Sequence, residues 1–564
     1  MRRKSLIRPR LNAPLPVWMI FPVVFAALYA SHFTLLRLPY YWDEAGYYIP
    51  AAWDFFRTGS LIPVSTLTNA HPPLPSIYLA FFWKVFCYCP AVTRVAVLAI
   101  ASLALTAVWR LAMNLAGVLS VAVWTVALTA VYPIWFAQST LAHADIFAAA
   151  CTLWGLVYAL PSRNRVSDRN KDRKPLAAAV WFAAAALSKE TAIAIPLTLA
   201  AVNLVESYRA PGMARIRLWR EAAWLASCTL PLAAWYLFHS FKTGFFFGNP
   251  EFLRYNAEAN LEPLRILSAF GYRILHLTAH MNLFVPVLIA TAALLLEPRP
   301  VTEDPDADGA RQDRPAIEPA ALRRIFILLL VNALLFSVLG GALLTRYLLP
   351  MYPLVLLAAV TTFYRRVPYW QGLAIFSATA FVLGLFINPP YRFALEDNLA
   401  YARVIRLHQA GIDQLEKLFP GATVLTAWPV TDELTRPELG YLKQPFAIDR
   451  VEDFTAAQIA RAAQEPEKYS AALVFSTKYD PPSAPQSFGP LNFGSWNDAI
   501  NERYFGLHHD LPPEAIALEL RGDLAWKQEE QGQWIAIIRF NRQIMARAER
   551  AWPKAEIGAP RSLP

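Results

Sequence analysis

The chain has 564 residues, of which 56% are hydrophobic and 17% are charged. This apolar excess excludes an ordinary soluble protein and predicts a protein embedded in a lipid bilayer. The formal net charge is +10, but the basic residues form short clusters between apolar runs, as they do in the cytoplasmic loops of membrane proteins. We therefore interpret the charge as a mark of membrane topology and expect no nucleic-acid partner.

The first predicted element is a membrane-spanning helix over 16–36, and five basic residues lie within the ten positions at the start of the chain. Its length of about 21 residues suits a bilayer core of about 30 Å. A cleavable signal peptide is the alternative, because small residues lie at 27–30, but the apolar region of such a peptide usually covers only about 7 to 15 residues. We expect a retained helix with the N-terminus in the cytoplasm.

Further apolar segments follow, most of them long enough to span a membrane. They cover 92–109, 115–136, 146–161, 176–188, 191–206, 222–239, 268–296, 325–343, 347–363 and 369–387. The apolar segment 75–90 contains Lys84 and is predicted to lie at the interface or to re-enter the membrane on the same side. These assignments give about eleven crossings, within a total of about 11 to 13 transmembrane helices.

Basic loops set the predicted orientation of these helices. The loops 162–175 and 207–221 are rich in arginine, the linker 297–324 is rich in Pro, Asp and Arg, and Arg365 and Arg366 mark a further turn. Because Lys and Arg accumulate in cytoplasmic loops, all four regions are predicted to be cytoplasmic. The C-terminus is then extracytoplasmic.

The composition changes near residue 390. Residues 1–390 form the predicted transmembrane domain, with a first outer loop over 37–90, and residues 391–564 resemble a soluble domain. Helical patterns at 397–419 and 455–463 and strand-like patterns at 422–428, 471–477 and 534–540 predict a small α/β domain. It has no glycine-rich phosphate loop and no nucleophile elbow, so the sequence assigns it no chemistry. The predicted fold class is an α-helical polytopic membrane protein with a C-terminal soluble α/β domain.

The four cysteines are Cys87, Cys89, Cys151 and Cys228, and all lie in or beside apolar segments. Their spacing matches neither a CxxC motif nor a zinc site. We interpret them as small, buried hydrophobic residues.

Ionisable residues gather in the loops that are predicted to face outward. They are Asp43, Glu44, His71, His143, Asp145, Lys189, Glu190 and Arg346. Charge at membrane depth is costly, so ionisable side chains at these helix ends are functional candidates.

Each candidate also has a purely structural interpretation. Asp43 and Glu44 could complement a helix dipole within an aromatic interfacial belt. His71 could belong to a turn that Pro72 and Pro73 fix, and Asp145 could cap a helix.

Lys189 and Glu190 interrupt a long apolar run and could form an ion pair with each other. Arg346 could extend its side chain toward water, or it could present a guanidinium fork to a phosphate.

The order and spacing of these motifs resemble the GT-C glycosyltransferases that use lipid-linked sugars, especially the lipid A aminoarabinose transferases, the rhizobial core galacturonosyltransferases and the protein O-mannosyltransferases. The resemblance covers about residues 16–390 and rests on short motifs. These are the acidic pair Asp43-Glu44, His71-Pro72-Pro73-Leu74, Asp145, Lys189, and Arg346-Tyr347 through Pro350. It implies a transferase that moves a sugar from a polyprenyl phosphate to a lipid, glycan or protein acceptor outside the cytoplasm. Glu190 follows Lys189 where many relatives have Gly.

This resemblance and the chemistry of the residues together give each candidate a role. A sugar joined to phosphate already has a good leaving group, so a base and a cationic clamp suffice for inverting displacement. Asp43 and Glu44 are the expected catalytic residues, Asp43 as the base and Glu44 as a structural support or acceptor, and Lys189 and Arg346 are expected to bind the donor phosphate. The expected substrate-binding or supporting residues are His71, His143, Asp145, Glu190 and Tyr347.

We expect no cofactor. A divalent metal remains an alternative, because the outer loops carry suitable ligand types, but no fixed-spacing signature supports it. A transporter, a sensor of lipid-linked sugar and an oligosaccharyl or lipid-phosphate transferase remain alternative functions. A transporter would be expected to show internal repeats, but the Asp-Glu and His-Pro-Pro-Leu segments have no clear repeat. The expected location is a bacterial inner membrane, in contact with its lipids, although an archaeal source stays open.

Overall fold

The computed structural model describes residues 17–161, 174–301, 313–481, 487–488 and 491–540. Most of the arginine-rich loop 162–175 and the centre of the linker 297–324 lie outside these described residues, as do the basic residues that precede the first helix. The described residues fall into two compact units. One comprises Met1–Arg403 and Asp480–Leu507, and the other comprises Val404–Tyr479 and His508–Pro564.

The first unit is built almost entirely from helices. They are α1 (Val17–His32), α2 (Ile49–Thr58), α3 (Leu74–Val85), α4 (Pro90–Leu115), α5 (Leu119–Val131), α6 (Pro133–Gln138), α7 (Ala144–Ala159), α8 (Lys174–Ser188), α9 (Ala194–Arg209), α10 (Gly212–Ser227), α11 (Thr229–Thr243), α12 (Pro250–Asn256), α13 (Pro263–Thr278), α14 (Phe284–Ala293), α15 (Pro319–Val338), α16 (Tyr352–Arg366) and α17 (Gln371–Phe386). The division between the units lies within α18 (Ala400–Leu418), and the second unit adds α19 (Val430–Thr435), α20 (Ala456–Ala462) and α22 (Pro513–Glu519), whereas α21 (Phe493–Tyr504) belongs to the first unit.

Among the described residues, three helices are by themselves long and apolar enough to cross a membrane: Pro90–Leu115, Glu190–Arg209 and Pro319–Val338. The others with apolar composition, such as α5, α7 and α17, have 10–17 residues each. Short helices of this kind need a neighbouring segment or a thinner hydrocarbon layer to complete a crossing.

One predicted span is broken. The sequence predicts a single apolar helix over 268–296, but Pro263–Asn282 and Phe284–Ala293 meet at an angle of 99°. Met281 and Asn282 at this break have φ values of +48° and +66°, in the left-handed region that interrupts a right-handed helix. The break places His280 inside the protein, where it is 7% exposed.

Small residues bring the central helices of the first unit together. α7 packs against both α4 and α8. At Gly155 of α7, an added Cβ would lie 2.6 Å from the ring of Phe182 on α8, a distance that atoms do not tolerate. This close approach places the start of α7, which carries Asp145, beside the end of α8, which precedes Lys189.

The second unit contains a five-stranded sheet, which confirms the predicted α/β domain. Its strands are β1 (Thr423–Ala427), β2 (Ala447–Val451), β3 (Ala471–Phe475), β6 (Asp523–Glu530) and β7 (Gln533–Arg539), and a separate hairpin of β4 (Ser487–Phe488) and β5 (Leu491–Asn492) belongs to the first unit. The order is β2-β1-β3-β7-β6, with β1 parallel to β2 and β3, and β7 antiparallel to β3 and β6.

Candidate active site

Arg346 is the centre of a buried cluster of charges. It lies in a 3-10 turn over Thr345–Leu348 and is 3% exposed. Its guanidinium donates hydrogen bonds to Asp43 and, over 2.6 Å, to both carboxylate oxygens of Glu396, and its Nε lies 3.3 Å from Asp145 Oδ2. Three carboxylates from distant parts of the sequence thus surround one cation. Burial in this form excludes the interpretation of Arg346 as a side chain that extends toward water.

Lys189 is the second cation of the cluster. Its Nζ donates a hydrogen bond of 2.5 Å to Asp145 Oδ1 and lies 4.0 Å from the centre of the Tyr347 ring. Asp145 therefore joins Lys189 to Arg346. It lies in the first turn of α7 but does not cap that helix, since the N-cap residue is His143. An ammonium group over an aromatic face adds cation–π attraction.

Glu44 faces away from this cluster although it is adjacent to Asp43. It is fully buried, and its Oε1 accepts hydrogen bonds of 2.5 Å from Arg94 Nη1 and 2.6 Å from the backbone N–H of Ala142. Its Oε2 accepts a bond from the backbone N–H of Tyr41. A buried ion pair with this many hydrogen bonds fixes the start of the π-helix Glu44–Tyr48, whose N-cap is Asp43, against α4.

His143 lies next to the cluster and is fully buried. Burial, helped by the charges of Arg346, Arg94 and Lys189, lowers the pKa of His143 well below its ordinary value. Its Nδ1 lies 2.8 Å from Gln138 Oε1, and its Nε2 lies 3.9 Å from Glu396 Oε2.

His71 and Glu190 form a separate, neighbouring pair. His71 Nδ1 lies 3.1 Å from Glu190 Oε2, and both side chains are largely buried. Lys189 and Glu190 thus have different partners, and the ion pair between them that the sequence left open does not form. The ring of Tyr48 lies 5.9 Å from those of both His71 and His143, so it connects this pair to the Arg346 cluster.

Sequence reasoning missed Glu396 and Asp397, which lie in a 3-10 turn over Leu395–Asp397 after α17. Burial, together with the nearby charges of Asp43, Asp397 and Asp145, outweighs the effect of Arg346 and raises the pKa of Glu396 to about 8. One signal was available. Glu396 and Asp397 form a second adjacent acidic pair that follows an apolar segment on the predicted outer side, as Asp43 and Glu44 do.

Asp397 supports the turn that carries Arg346. It accepts a hydrogen bond from the hydroxyl of Thr345, and its Oδ2 lies 2.8 Å from His280 Nε2. The other ring nitrogen of His280 lies 3.1 Å from the Tyr391 hydroxyl. The break between α13 and α14 therefore places His280 where it orients Asp397, which in turn holds Thr345 next to Arg346.

Two further arginines that the sequence analysis did not select lie on α13. Arg273 donates hydrogen bonds to the carbonyl oxygens of Phe336 (3.0 Å) and Leu344 (2.8 Å), and Arg265 donates to those of Gly340 and Gly341 (both 3.2 Å). Among the residues that the structure describes, neither has a carboxylate at ion-pair distance. Both arginines thus bring positive charge to the segment that leads into Arg346.

The described residues contain no group of three His, Cys, Asp or Glu side chains that could hold a metal ion. The carboxylates that come together here, those of Asp43, Asp145 and Glu396, converge on the Arg346 guanidinium instead. The cationic position among these carboxylates is thus filled by a side chain of the protein.

No protein-family model matches the chain, and no curated protein matches it significantly in sequence. The chain is similar in structure to ArnT from Cupriavidus metallidurans bound to undecaprenyl phosphate, with a TM-score of 0.52 and 15% identity over 92% of this chain and 97% of that chain. The chain has the fold of ArnT. This likeness confirms the GT-C fold that the sequence motifs predict, because the ArnT fold covers both the helical part and the C-terminal part of the chain.

Two more solved structures are similar at lower scores. One is ArnT from Cupriavidus metallidurans in the apo state, with a TM-score of 0.49 and 14% identity over 93% of this chain and 98% of that chain. The other is the oligosaccharyltransferase of Archaeoglobus fulgidus in complex with zinc and sulfate, with a TM-score of 0.40 and 13% identity over 81% of this chain and 68% of that chain.

Proposed function

We propose that the protein is a membrane glycosyltransferase that moves a sugar from a polyprenyl-phosphate donor to a lipid, glycan or protein acceptor on the extracytoplasmic face. The observation that carries this proposal is the convergence of Asp43, Asp145, Lys189 and Arg346 in one cluster. A carboxylate base next to two cations is what displacement of a phosphate from a sugar requires.

Asp43 is the proposed base because it is the most accessible carboxylate of the cluster. Its side chain is 34% exposed, against 1% for Asp145 and 5% for Glu396. An acceptor hydroxyl can therefore approach Asp43, whereas the other two are enclosed. Asp43 would take the proton of that hydroxyl as its oxygen attacks the anomeric carbon, and the phosphate would leave from the opposite side with inversion. Glu44 is the proposed positioning residue, since its ion pair with Arg94 fixes the helix start that carries Asp43.

The donor phosphate would bind near Tyr347. Three cationic groups surround this ring: Lys189 at 4.0 Å, Arg273 at 5.7 Å and Arg346 at 6.0 Å from its centre. Clustered cations in a site of low dielectric stabilise the negative charge that develops on a departing phosphate. We assign His71 and Glu190 to the neighbouring wall, where Tyr48 connects them to His143, and propose that this wall contacts substrate.

The identity of the donor class is supported by the ArnT crystal structure, which holds undecaprenyl phosphate. A prenyl tail would reach the cluster from the membrane between helices, so a polyprenyl phosphate suits a site of this kind better than a water-soluble nucleotide sugar. We propose that the protein crosses a bacterial inner membrane several times, with the Arg346 cluster and the C-terminal domain on the extracytoplasmic side.

The proposal is tested by incubating purified protein with polyprenyl-phosphate sugars and a lipid or glycan acceptor fraction. Mass spectrometry is expected to find free polyprenyl phosphate and an acceptor that has gained one sugar residue. The matched control substrate is the same sugar on an unphosphorylated polyprenol, which is expected to stay intact. If the donor stays intact in every reaction and only binds, the protein is a sensor. If the intact donor is moved across vesicle membranes, the protein is a transporter. Either result would contradict the transferase proposal.

A further inference from the structure

Two thiols lie in contact at the turn between α3 and α4. The Sγ atoms of Cys87 and Cys89 are 3.1 Å apart, and Cys87 is exposed while Cys89 is half-buried. The interpretation of Cys87 as a buried hydrophobic residue is therefore wrong, because α3 ends at Val85 and the chain forms an exposed turn before α4 begins at Pro90. Two thiols in contact, one of them exposed, are a site for covalent chemistry.

The residue between the two cysteines lies in an aromatic cluster at the same end of the first unit as Asp43. The ring of Tyr88 lies 4.2 Å from that of Trp53, 4.8 Å from that of Trp83 and 6.5 Å from that of Tyr40. Tyr40 begins the segment that leads directly to Asp43. We therefore expect the two thiols to face the same side of the membrane as Asp43.

We propose that Cys87 and Cys89 form a reversible disulfide on the extracytoplasmic face. This inference rests on the placement of Asp43 in the proposed function, because disulfides persist in oxidising compartments such as the bacterial periplasm. Bond formation requires the sulfur atoms to approach by only roughly 1 Å, since a disulfide bond is about 2.05 Å long.

The oxidant in this step is a second disulfide, carried by a small molecule or another protein. The thiolate of one cysteine attacks that disulfide and forms a mixed disulfide, and the other cysteine then displaces the partner. One S–S bond forms and one breaks, and the two protons of Cys87 and Cys89 end on the two thiols of the reduced partner. The bond closes a small ring around Tyr88, and strain in such a ring favours easy reduction.

The bond would fasten the turn between α3 and α4. The carbonyl oxygen of Cys89 accepts a hydrogen bond of 3.2 Å from the backbone N–H of Thr93, whose hydroxyl lies 2.7 Å from the Tyr40 hydroxyl and accepts a 2.8 Å bond from the Trp83 indole. Fixing Cys89 therefore fixes this network. Because the ring is short, the stability gained by restricting the unfolded chain is small.

The test begins with free thiols blocked by N-ethylmaleimide as cells are lysed, followed by digestion with trypsin. Cleavage after Lys84 and Arg94 releases a peptide, 85–94, that contains both thiols and no other cysteine. Without prior reduction, we expect this peptide to carry no maleimide adduct and to be lighter by two hydrogen atoms than its dithiol form. If the protein is reduced before blocking, we expect the peptide to carry two adducts. Two adducts without prior reduction would overturn the disulfide.

A second measurement separates this inference from the proposed function. In Cys89→Ser, with Cys151→Ser and Cys228→Ser, Cys87 is the one remaining cysteine, and a membrane-impermeant maleimide is expected to label it in intact cells. Adding Cys87→Ser provides the matched control and is expected to remove the label. Labelling in intact cells combined with a dithiol in the wild-type chain would overturn the disulfide alone. Labelling only after lysis would overturn the extracytoplasmic placement and the proposed function with it.

Discussion

Lys189 donates a hydrogen bond to Asp145 and lies over the ring of Tyr347, so it is the cation that a donor phosphate can reach most directly. We expect Lys189→Met to raise the KM for the polyprenyl-phosphate sugar by about 10-fold or more, since a hydrogen bond to a charged group contributes about 1.5 to 3 kcal/mol. The matched control is Lys242→Met, an exposed lysine in the last turn of α11, which is expected to leave KM unchanged. Equal KM values for the two variants would remove Lys189 from the phosphate site.

The charge state of Glu396 predicts a pH dependence of donor binding. Its pKa of about 8 means that it is mostly protonated at neutral pH, which leaves more of the positive charge of Lys189 and Arg346 for the phosphate. Donor affinity is therefore expected to fall as the pH rises through about 8. Glu396→Gln is permanently neutral and is expected to keep its affinity at higher pH. Parallel binding curves for the wild type and this variant between pH 7 and pH 9 would contradict this role.

The same group predicts a change in stability with pH. Glu396 has an ordinary pKa of 4.5 and a raised value of about 8 when folded. Between these values the folded protein holds a proton that the unfolded chain releases, so its contribution to stability is complete below about pH 4.5 and is lost as the pH rises through about 8. The thermal midpoint of Glu396→Gln in detergent is expected to fall less over this range than that of the wild type.

Residue types and their order identified part of the candidate cluster. Charged residues are rare at the ends of apolar segments because charge at membrane depth costs free energy. This rarity identified Asp43, Asp145, Lys189 and Arg346 as candidates. Glu396 was not visible because it lies beyond the last apolar segment, in the part that composition assigns to the soluble domain. Its membership depends on the turn over Leu395–Asp397 packing against α6, which a pattern along the chain does not encode.

The 3-10 turn over Thr345–Leu348 determines where Arg346 points, and Asp397 stabilises that turn by accepting a hydrogen bond from Thr345. We expect Thr345→Val to lower kcat by about 10-fold, because it leaves the buried Asp397 carboxylate without one donor. Thr345→Ser retains the hydroxyl and is expected to restore kcat. This rescue separates a lost hydrogen bond from a general packing defect, and equal losses in the two variants would contradict the positioning role.

The approach of α7 to α8 predicts a packing defect that leaves the chemistry in place. Gly155→Ala would put a Cβ against the ring of Phe182, and overpacking of this kind typically costs about 1 to 3 kcal/mol. We expect a lower thermal midpoint, and a partial recovery when Phe182→Leu makes room. An unchanged thermal midpoint in Gly155→Ala would show that α7 and α8 can move apart without a loss of stability.

Element predictions succeeded where the apolar pattern was strong. β1, β3 and β7 were predicted because they are buried and rich in aliphatic residues. β2 and β6 were missed because most of their residues are exposed or only partly buried. Each strand also contains charged residues, so neither shows an apolar run. The break near Met281 was missed because an apolar segment looks the same whether or not its backbone turns.

For the molecule as a whole, the arginine at the centre of the cluster predicts that transfer needs no divalent metal. The Arg346 guanidinium pairs with Asp43, Asp145 and Glu396, so these carboxylates already have a cationic partner. Sugar transfer is expected to continue unchanged in EDTA, with a metal-dependent glycosyltransferase assayed alongside as the control. Loss of activity in EDTA and its recovery with Mg²⁺ or Mn²⁺ would contradict this expectation.

The overall fold was predictable because several weak motifs occur in one order. Each motif alone has an ordinary structural explanation. For Glu44 the structure shows a structural role, because Glu44 forms a buried ion pair with Arg94. What the sequence could not provide is the three-dimensional grouping, since Asp43 and Arg346 are separated by most of the first unit. The number of crossings and the side of the membrane that each loop faces stay predictions.

Asp43 as the base that activates the acceptor is the central claim, and the rate of sugar transfer by Asp43→Asn tests it most directly. Donor binding should be retained in this variant, while kcat should fall by about 100-fold or more, as loss of a general base does. The control is Asp413→Asn, an exposed carboxylate on α18, which should transfer sugar at the wild-type rate. If Asp43→Asn turned over donor as fast as Asp413→Asn does, another group would have to accept the proton.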